Sequence, residues 1–145
     1  GVKGVLPGGP SSGWVGAGEL DVALDREPLS QLGSTLGCGA LRILEDGECV
    51  MEVIDEIAQF FMAEACGQCP ACNMETQTLA KIITQVKNGR GMPQLMDQIP
   101  KLAAFAEGKG QCSLVSMPTP PLISAARLYP EDIAYHLEHG VCPPP

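Results

Sequence analysis

Residues 49–72 read CVMEVIDEIAQFFMAEACGQCPAC, and the reading of this stretch decides the fold. Val50, Val53, Ile54, Ile57, Phe60 and Phe61 recur at three- and four-residue spacing, with Glu52, Asp55, Glu56 and Gln59 between them. This is the period of an α-helix with one apolar stripe, and it predicts a helix over residues 49–64. Gly67 and Pro70 then break the period, and Cys66, Cys69 and Cys72 crowd into seven residues. A helix, a cysteine-bearing loop and a second helical pattern therefore follow one another directly.

The second pattern runs from Cys72 or Asn73 to about Lys87, with Leu79, Ile82, Ile83 and Val86 on one face and Asn88-Gly89 as its stop. A third covers Pro93–Glu107, with Leu95, Met96, Ile99, Leu102 and Phe105 apolar. Pro100 inside it predicts a kink or two short helices. A fourth covers Pro121–Leu137 and is interrupted at Tyr129-Pro130. Four helical stretches with short links predict a small bundle. The cysteine loop joins the first two stretches and Cys112 joins the last two. In an up-down bundle both connections lie at one end, so the topology brings Cys112 toward Cys66, Cys69 and Cys72.

Cys66-x2-Cys69-x2-Cys72 with a remote Cys112 offers four thiolates. Cubane [4Fe–4S] clusters are commonly held by three close thiolates and one distant one. Gly67 lets the backbone fold tightly there, and N–H groups of the following helix are placed to bond cluster sulfurs. Zinc is the chemical rival, although structural zinc usually takes its ligands as two pairs. A cysteine set with no metal is the third reading. Cys38 and Cys49 read as packed residues, Cys142 as unliganded, and His136 and His139 as a solvated helix pair. The methionines read as core filler, and the acidic pairs Asp55/Glu56 and Glu131/Asp132 as solvated helix faces.

The chain preceding this bundle has a different character. Of the 17 glycines, 10 lie in the first 40 residues. Residues 1–65 carry a net charge of −8 and residues 66–145 a net charge of 0. Val2–Pro7 and Ala40–Leu44 read as short strands, the first ending at the turn Pro7-Gly8-Gly9-Pro10. Two strands do not make a stable sheet, so this module is incomplete or leans on the rest. The shifts place a boundary near Asp46–Cys49. The fold class is α+β.

The 145 residues suit one domain or two very small ones. A net charge of −8 disfavours gripping nucleic acid or anionic lipid by charge. Apolar residues are 45% and aromatics only 4%, so a core exists and is aliphatic. No apolar stretch approaches the ~18 residues of a membrane span, and no secretion signal is visible after Gly1. Seven cysteines is an odd, clustered count, which speaks for a metal or redox centre in a reducing compartment. The glycine-rich run 8–13 lacks a phosphate-loop Gly-Lys ending, and no dinucleotide fingerprint occurs.

Glu64-Ala65-Cys66-Gly67-Gln68-Cys69-Pro70-Ala71-Cys72 resembles the E-S-C-G-x-C-x-x-C segment of the NADH-binding flavoprotein subunit of respiratory complex I and of related subunits in NAD-linked hydrogenases and formate dehydrogenases. Pro7–Ser12 is similar to that family's P-G-G-S-S turn, and Gly33–Ala40 to its glycine-rich segment. Cys112, followed by Pro120-Pro121-Leu122 and Arg127, fits its fourth ligand and last helix. The matches are collinear over nearly the whole chain.

The resemblance implies a [4Fe–4S] cluster on Cys66, Cys69, Cys72 and Cys112 in a helical domain, residues 47–145. It implies that residues 1–46 are part of a β-grasp (soluble-ligand-binding) module. The family's flavin and NADH motif, G-R-G-G-x-G-F-P-T-G, has no counterpart in these 145 residues. FMN and NAD(H) are therefore expected only on another domain or partner. The expected function is single-electron transfer between a flavin-binding domain or subunit and an iron–sulfur acceptor protein. The expected site is cytoplasmic, as a peripheral part of a complex, without nucleic acid or membrane insertion. A free-standing ferredoxin-like carrier and a zinc-bound structural module are the alternatives. Where the family has Arg-x-Gly after its third cysteine, this chain has Asn73-Met74-Glu75. A lost cation and an added carboxylate there are expected to lower the cluster's potential. Ala65 and Cys38 also replace family hydroxyl residues.

Overall fold

The computed structural model describes residues 1–8, 12–32, 34, 41–109, 114 and 117–144. The expectations for Cys112, Cys38 and most of the glycine-rich segments fall outside these residues.

Strands β1 (Val2–Leu6), β2 (Val15–Gly16) and β3 (Arg42–Glu45) form an antiparallel sheet in the order β2-β1-β3. β1 pairs Gly4 with Gly16 and Val5 with Val15 on one side. On the other it pairs Gly4 with Leu44 and Val5 with Ile43, after an irregularity between Val2 and Gly4. A 3-10 turn (Ala17–Glu19) and helix α1 (Arg26–Gln31) connect β2 to β3. β2 and α1 are additions to the sequence reading.

Five further helices follow: α2 (Val50–Glu64), α3 (Pro70–Lys87), α4 (Gln94–Ala106), α5 (Thr119–Leu128) and α6 (Pro130–His139). α2 buries Val50, Val53, Ile54, Ile57 and Phe61, five of its six apolar-stripe residues, while Phe60 stays exposed. Pro70 starts α3 rather than breaking it, because proline's missing N–H costs nothing at the first helical position. α4 continues through Pro100 as one helix. The fourth stretch divides where expected: Tyr129 has φ −127° and ψ 51°, outside the helical region that a following proline disfavours.

Leu6, Trp14 and Leu44 of the N-terminal part join Val50, Met51, Ile54, Leu79, Ile83, Ile99 and Leu122 in one buried cluster. Each such side chain contributes about 1.5–3 kcal/mol on burial. Polar links cross the same seam. The Trp14 backbone N–H donates to Ser124 Oγ at 2.7 Å, and the Tyr129 hydroxyl donates to the Lys3 carbonyl at 3.0 Å. With β2 only two residues long, the sheet is little more than a two-stranded ribbon, and the bundle packed on it supplies the missing support. A Cβ at Gly4 would overlap the Tyr129 hydroxyl, which explains a glycine in mid-strand. The methionines divide: Met51 and Met96 are buried, whereas Met62, Met74 and Met92 are exposed. Among the described residues no helix is long and apolar enough to cross a membrane.

Candidate metal centre

Three of the four predicted ligands sit at the α2–α3 junction. α2 ends at Ala65, whose N–H bonds the Phe61 carbonyl at 3.0 Å, and whose extended ψ of 133° turns the chain out. Cys66 follows and is exposed. Gly67 has φ 77°, a left-handed conformation that glycine adopts without a Cβ penalty, and it folds the loop back. Cys69 is the residue capping α3, with φ −96° and ψ 114°, and Pro70 begins the helix. Cys72 lies in the first turn and is buried against Ala106, with Ala65, Cys69 and Leu114 packed around them.

This arrangement suits soft anionic sulfur. The first turn of α3 contains no acidic residue. Helix N-termini carry about half a positive charge, so thiolates and the sulfides of a cluster are favoured there. Two of the three sulfurs stand at that end. The donor set of thiolates, a graded exposure from Cys66 to Cys72 and a glycine fold between the first two fit a cluster held at the protein surface. Cys112 is not among the described residues, but Leu114 packs on the Cys72 patch.

Glu75, the acidic departure noted in the sequence, is fully buried. Neither carboxylate oxygen has a hydrogen-bond partner among the described residues. Burial pushes its carboxyl from the ordinary 4.5 up to about 7. Burial therefore favours the neutral form of the added group, so its influence on the cluster's potential is expected to depend on pH.

A second constellation escapes the sequence reading. Cys49, His136 and Cys142 place their donor atoms within 4.8 Å of one another. Cys49 Sγ is 3.2 Å from His136 Nε2, and the opposite ring nitrogen, Nδ1, donates to the Lys87 carbonyl at 2.8 Å. His136 is buried, not solvated, because α6 packs against both α2 and α3. Gly140 takes φ 72° and returns the chain so that Cys142 meets Glu52 Oε1 at 3.3 Å. Burial pushes the Cys142 thiol up to about 12, and the hydrogen bond from Cys142 lowers Glu52. The one sequence signal that points here is the pair His136 and Cys142 flanking a glycine stop. His139 remains exposed. Asp132, expected on a solvated face, is buried: its Oδ2 accepts from the Val50 N–H at 3.1 Å and pairs with Lys3 Nζ at 2.5 Å.

A small antiparallel sheet leaning on a helical bundle, with a cysteine loop at one helix start, defines an α+β module with a cysteine-bearing junction. A family profile described as "NADH-ubiquinone oxidoreductase-F iron-sulfur binding region" matches residues 52–136. The chain belongs to this family, and an iron–sulfur cluster is the cofactor that membership indicates. It is 32% identical over 137 residues to the NADH-quinone oxidoreductase F subunit of Mycobacterium bovis, covering 94% of this chain and 31% of that protein. It is 28% identical over 141 residues to the HndC subunit of the NADP-reducing hydrogenase of Solidesulfovibrio fructosivorans, covering 97% and 29%. The chain thus spans about a third of the length of these relatives. Its fold is similar to a chain of a NAD+-reducing [NiFe]-hydrogenase in the H2-reduced state, with a TM-score of 0.79 at 19% identity, covering 98% of this chain and 24% of that one.

Proposed function

We propose that Cys66, Cys69, Cys72 and Cys112 hold a [4Fe–4S] cluster through which this chain passes single electrons between a flavin on another domain or subunit and an iron–sulfur acceptor protein. The observation that carries the reading is the placement of Cys66, Cys69 and Cys72 along the α2–α3 junction, with Cys69 capping α3 and Cys72 in its first turn, inside the family's iron–sulfur region. When bound, the cluster supplies reversible one-electron chemistry. The chain's own residues do the rest. Gly67 sets the loop's return, Pro70 fixes the start of α3, and that helix end favours the anionic sulfurs. Ala106 and Leu114 dry the Cys72 side. Exposed Cys66 leaves the opposite side open to a partner.

The division into a β-grasp part, residues 1–46, and a cluster-binding helical domain, residues 47–145, belongs to the same proposal. Supporting a partner at the N-terminal part, an apolar groove of about 210 Å³ is lined by Val5, Val15, Leu24, Leu41 and Ile43. Three of its residues, Leu24, Leu41 and Ile43, are about half exposed. A cytoplasmic place within a multi-subunit oxidoreductase follows from the same reading.

The test is reduction of the anaerobic chain by two donors. Dithionite is expected to reduce it, and NADH only after a flavoprotein is added. Direct reduction by NADH alone contradicts the division of labour. Failure of dithionite to produce a reduced iron–sulfur spectrum contradicts the electron-transfer role and leaves the zinc module. Native mass measurement separates the free-standing carrier, which forms no stable flavoprotein complex.

A further inference from the structure

We infer that Cys49, His136, Cys142 and Glu52 form a second metal site, distinct from the cysteine loop, that binds Zn2+. Around a tetrahedral zinc with Zn–S near 2.3 Å and Zn–N near 2.0 Å, donor atoms stand roughly 3.3–3.8 Å apart. The Cys49 Sγ to His136 Nε2 separation is 3.2 Å, and the three donors of Cys49, His136 and Cys142 all lie within 4.8 Å. Closure on an ion therefore needs only small side-chain adjustments. Glu52 Oε1, 3.3 Å from Cys142 Sγ, is in reach as the fourth donor.

The histidine is set as a ligand. A carbonyl can only accept, so the bond to the Lys87 carbonyl at 2.8 Å fixes the proton on Nδ1. Nε2 is then the lone-pair nitrogen and faces Cys49. Metal-ligating histidines are generally oriented by such a donation from their other nitrogen. Two sulfurs, an imidazole and a carboxylate suit zinc better than magnesium or calcium, which prefer oxygen alone. Binding one Zn2+ releases the two thiol protons and leaves the centre with one negative charge from Glu52. The Lys87 ammonium, 3.2 Å from Glu52 Oε2, offsets it.

The donors come from three places in the chain: the residue before α2 and its first turn, the last turn of α6, and the tail beyond Gly140. An ion there pins the C-terminal segment onto the start of the helix that leads to the cysteine loop.

Zinc content and the zinc K-edge absorption spectrum of the anaerobically purified full chain test this, because that edge is blind to iron. One zinc per chain with two sulfur and two nitrogen or oxygen neighbours is expected. Cys142→Ser, in a half-buried tail, is expected to weaken zinc binding by at least about 100-fold while iron content stays unchanged. Failure of the chain to take up micromolar zinc overturns the site, as does zinc retained unchanged in Cys142→Ser. A four-sulfur zinc spectrum overturns it by locating the ion in the cysteine loop. A Cys49–Cys142 disulfide in anaerobic material, seen as a mass loss, also overturns it.

Discussion

Glu75→Gln isolates the one fully buried carboxyl that lacks a partner among the described residues. Burial raises this group from 4.5 to about 7. A raised acid favours its protonated form in the folded chain, so its penalty is absent below about pH 4.5 and grows as pH rises toward 7. Above pH 7 the penalty levels off. At about 1.4 kcal/mol per pH unit, the rise from 4.5 to about 7 amounts to about 3 kcal/mol. Glutamine matches the neutral acid in shape and cannot ionise. The variant and the parent chain should therefore be nearly equal in stability near pH 4 and differ by about 1 kcal/mol at pH 5. The variant should become more stable by up to about 3 kcal/mol near pH 8.5. Guanidinium unfolding of both chains across this range, at matched iron content, gives the difference directly. A difference that stays constant with pH would refute the placement of Glu75 as an ionisable group in a dry site.

The same substitution should raise the cluster's midpoint potential above pH 7 and leave it unchanged near pH 5.5; potentiometry showing no shift at either pH contradicts an electrostatic influence of Glu75. Asp132→Ala removes the acceptor for the Val50 N–H and the partner of Lys3. It should cost about 1–3 kcal/mol in denaturant unfolding, with Asp132→Asn less damaging. Gly4→Ala drives a methyl into the Tyr129 hydroxyl and should cost about 1–3 kcal/mol. Adding Tyr129→Phe should recover part of that loss, and no recovery would show that the clash lies elsewhere.

The helices are legible because their apolar residues recur at helical spacing over two or more turns, as Val50 to Phe61 and Leu79 to Val86 do. α1 is not, since its six residues include Pro28 and a single buried leucine, too little for a period to show. β2 has two residues and offers no alternation at all. The start of α3 is easily misplaced because Pro70 reads as a breaker, whereas proline also opens helices. The Cys66–Cys72 loop is visible as local spacing. Cys49, His136 and Cys142 are not, because their meeting depends on α6 packing against α2 and α3 and on the turn at Gly140. Local periodicity carries no information on that packing. Asp132 reads as solvated for the same reason: its partners, Lys3 and Val50, are more than eighty residues away.

Acid-labile sulfide and iron, measured in anaerobically purified chain and in Cys66→Ser and Cys112→Ser, test the central claim most directly. The account predicts about four sulfides and four irons per chain, with sulfide sharply reduced in either variant. A chain with no acid-labile sulfide, or one whose sulfide is indifferent to both substitutions, would contradict it.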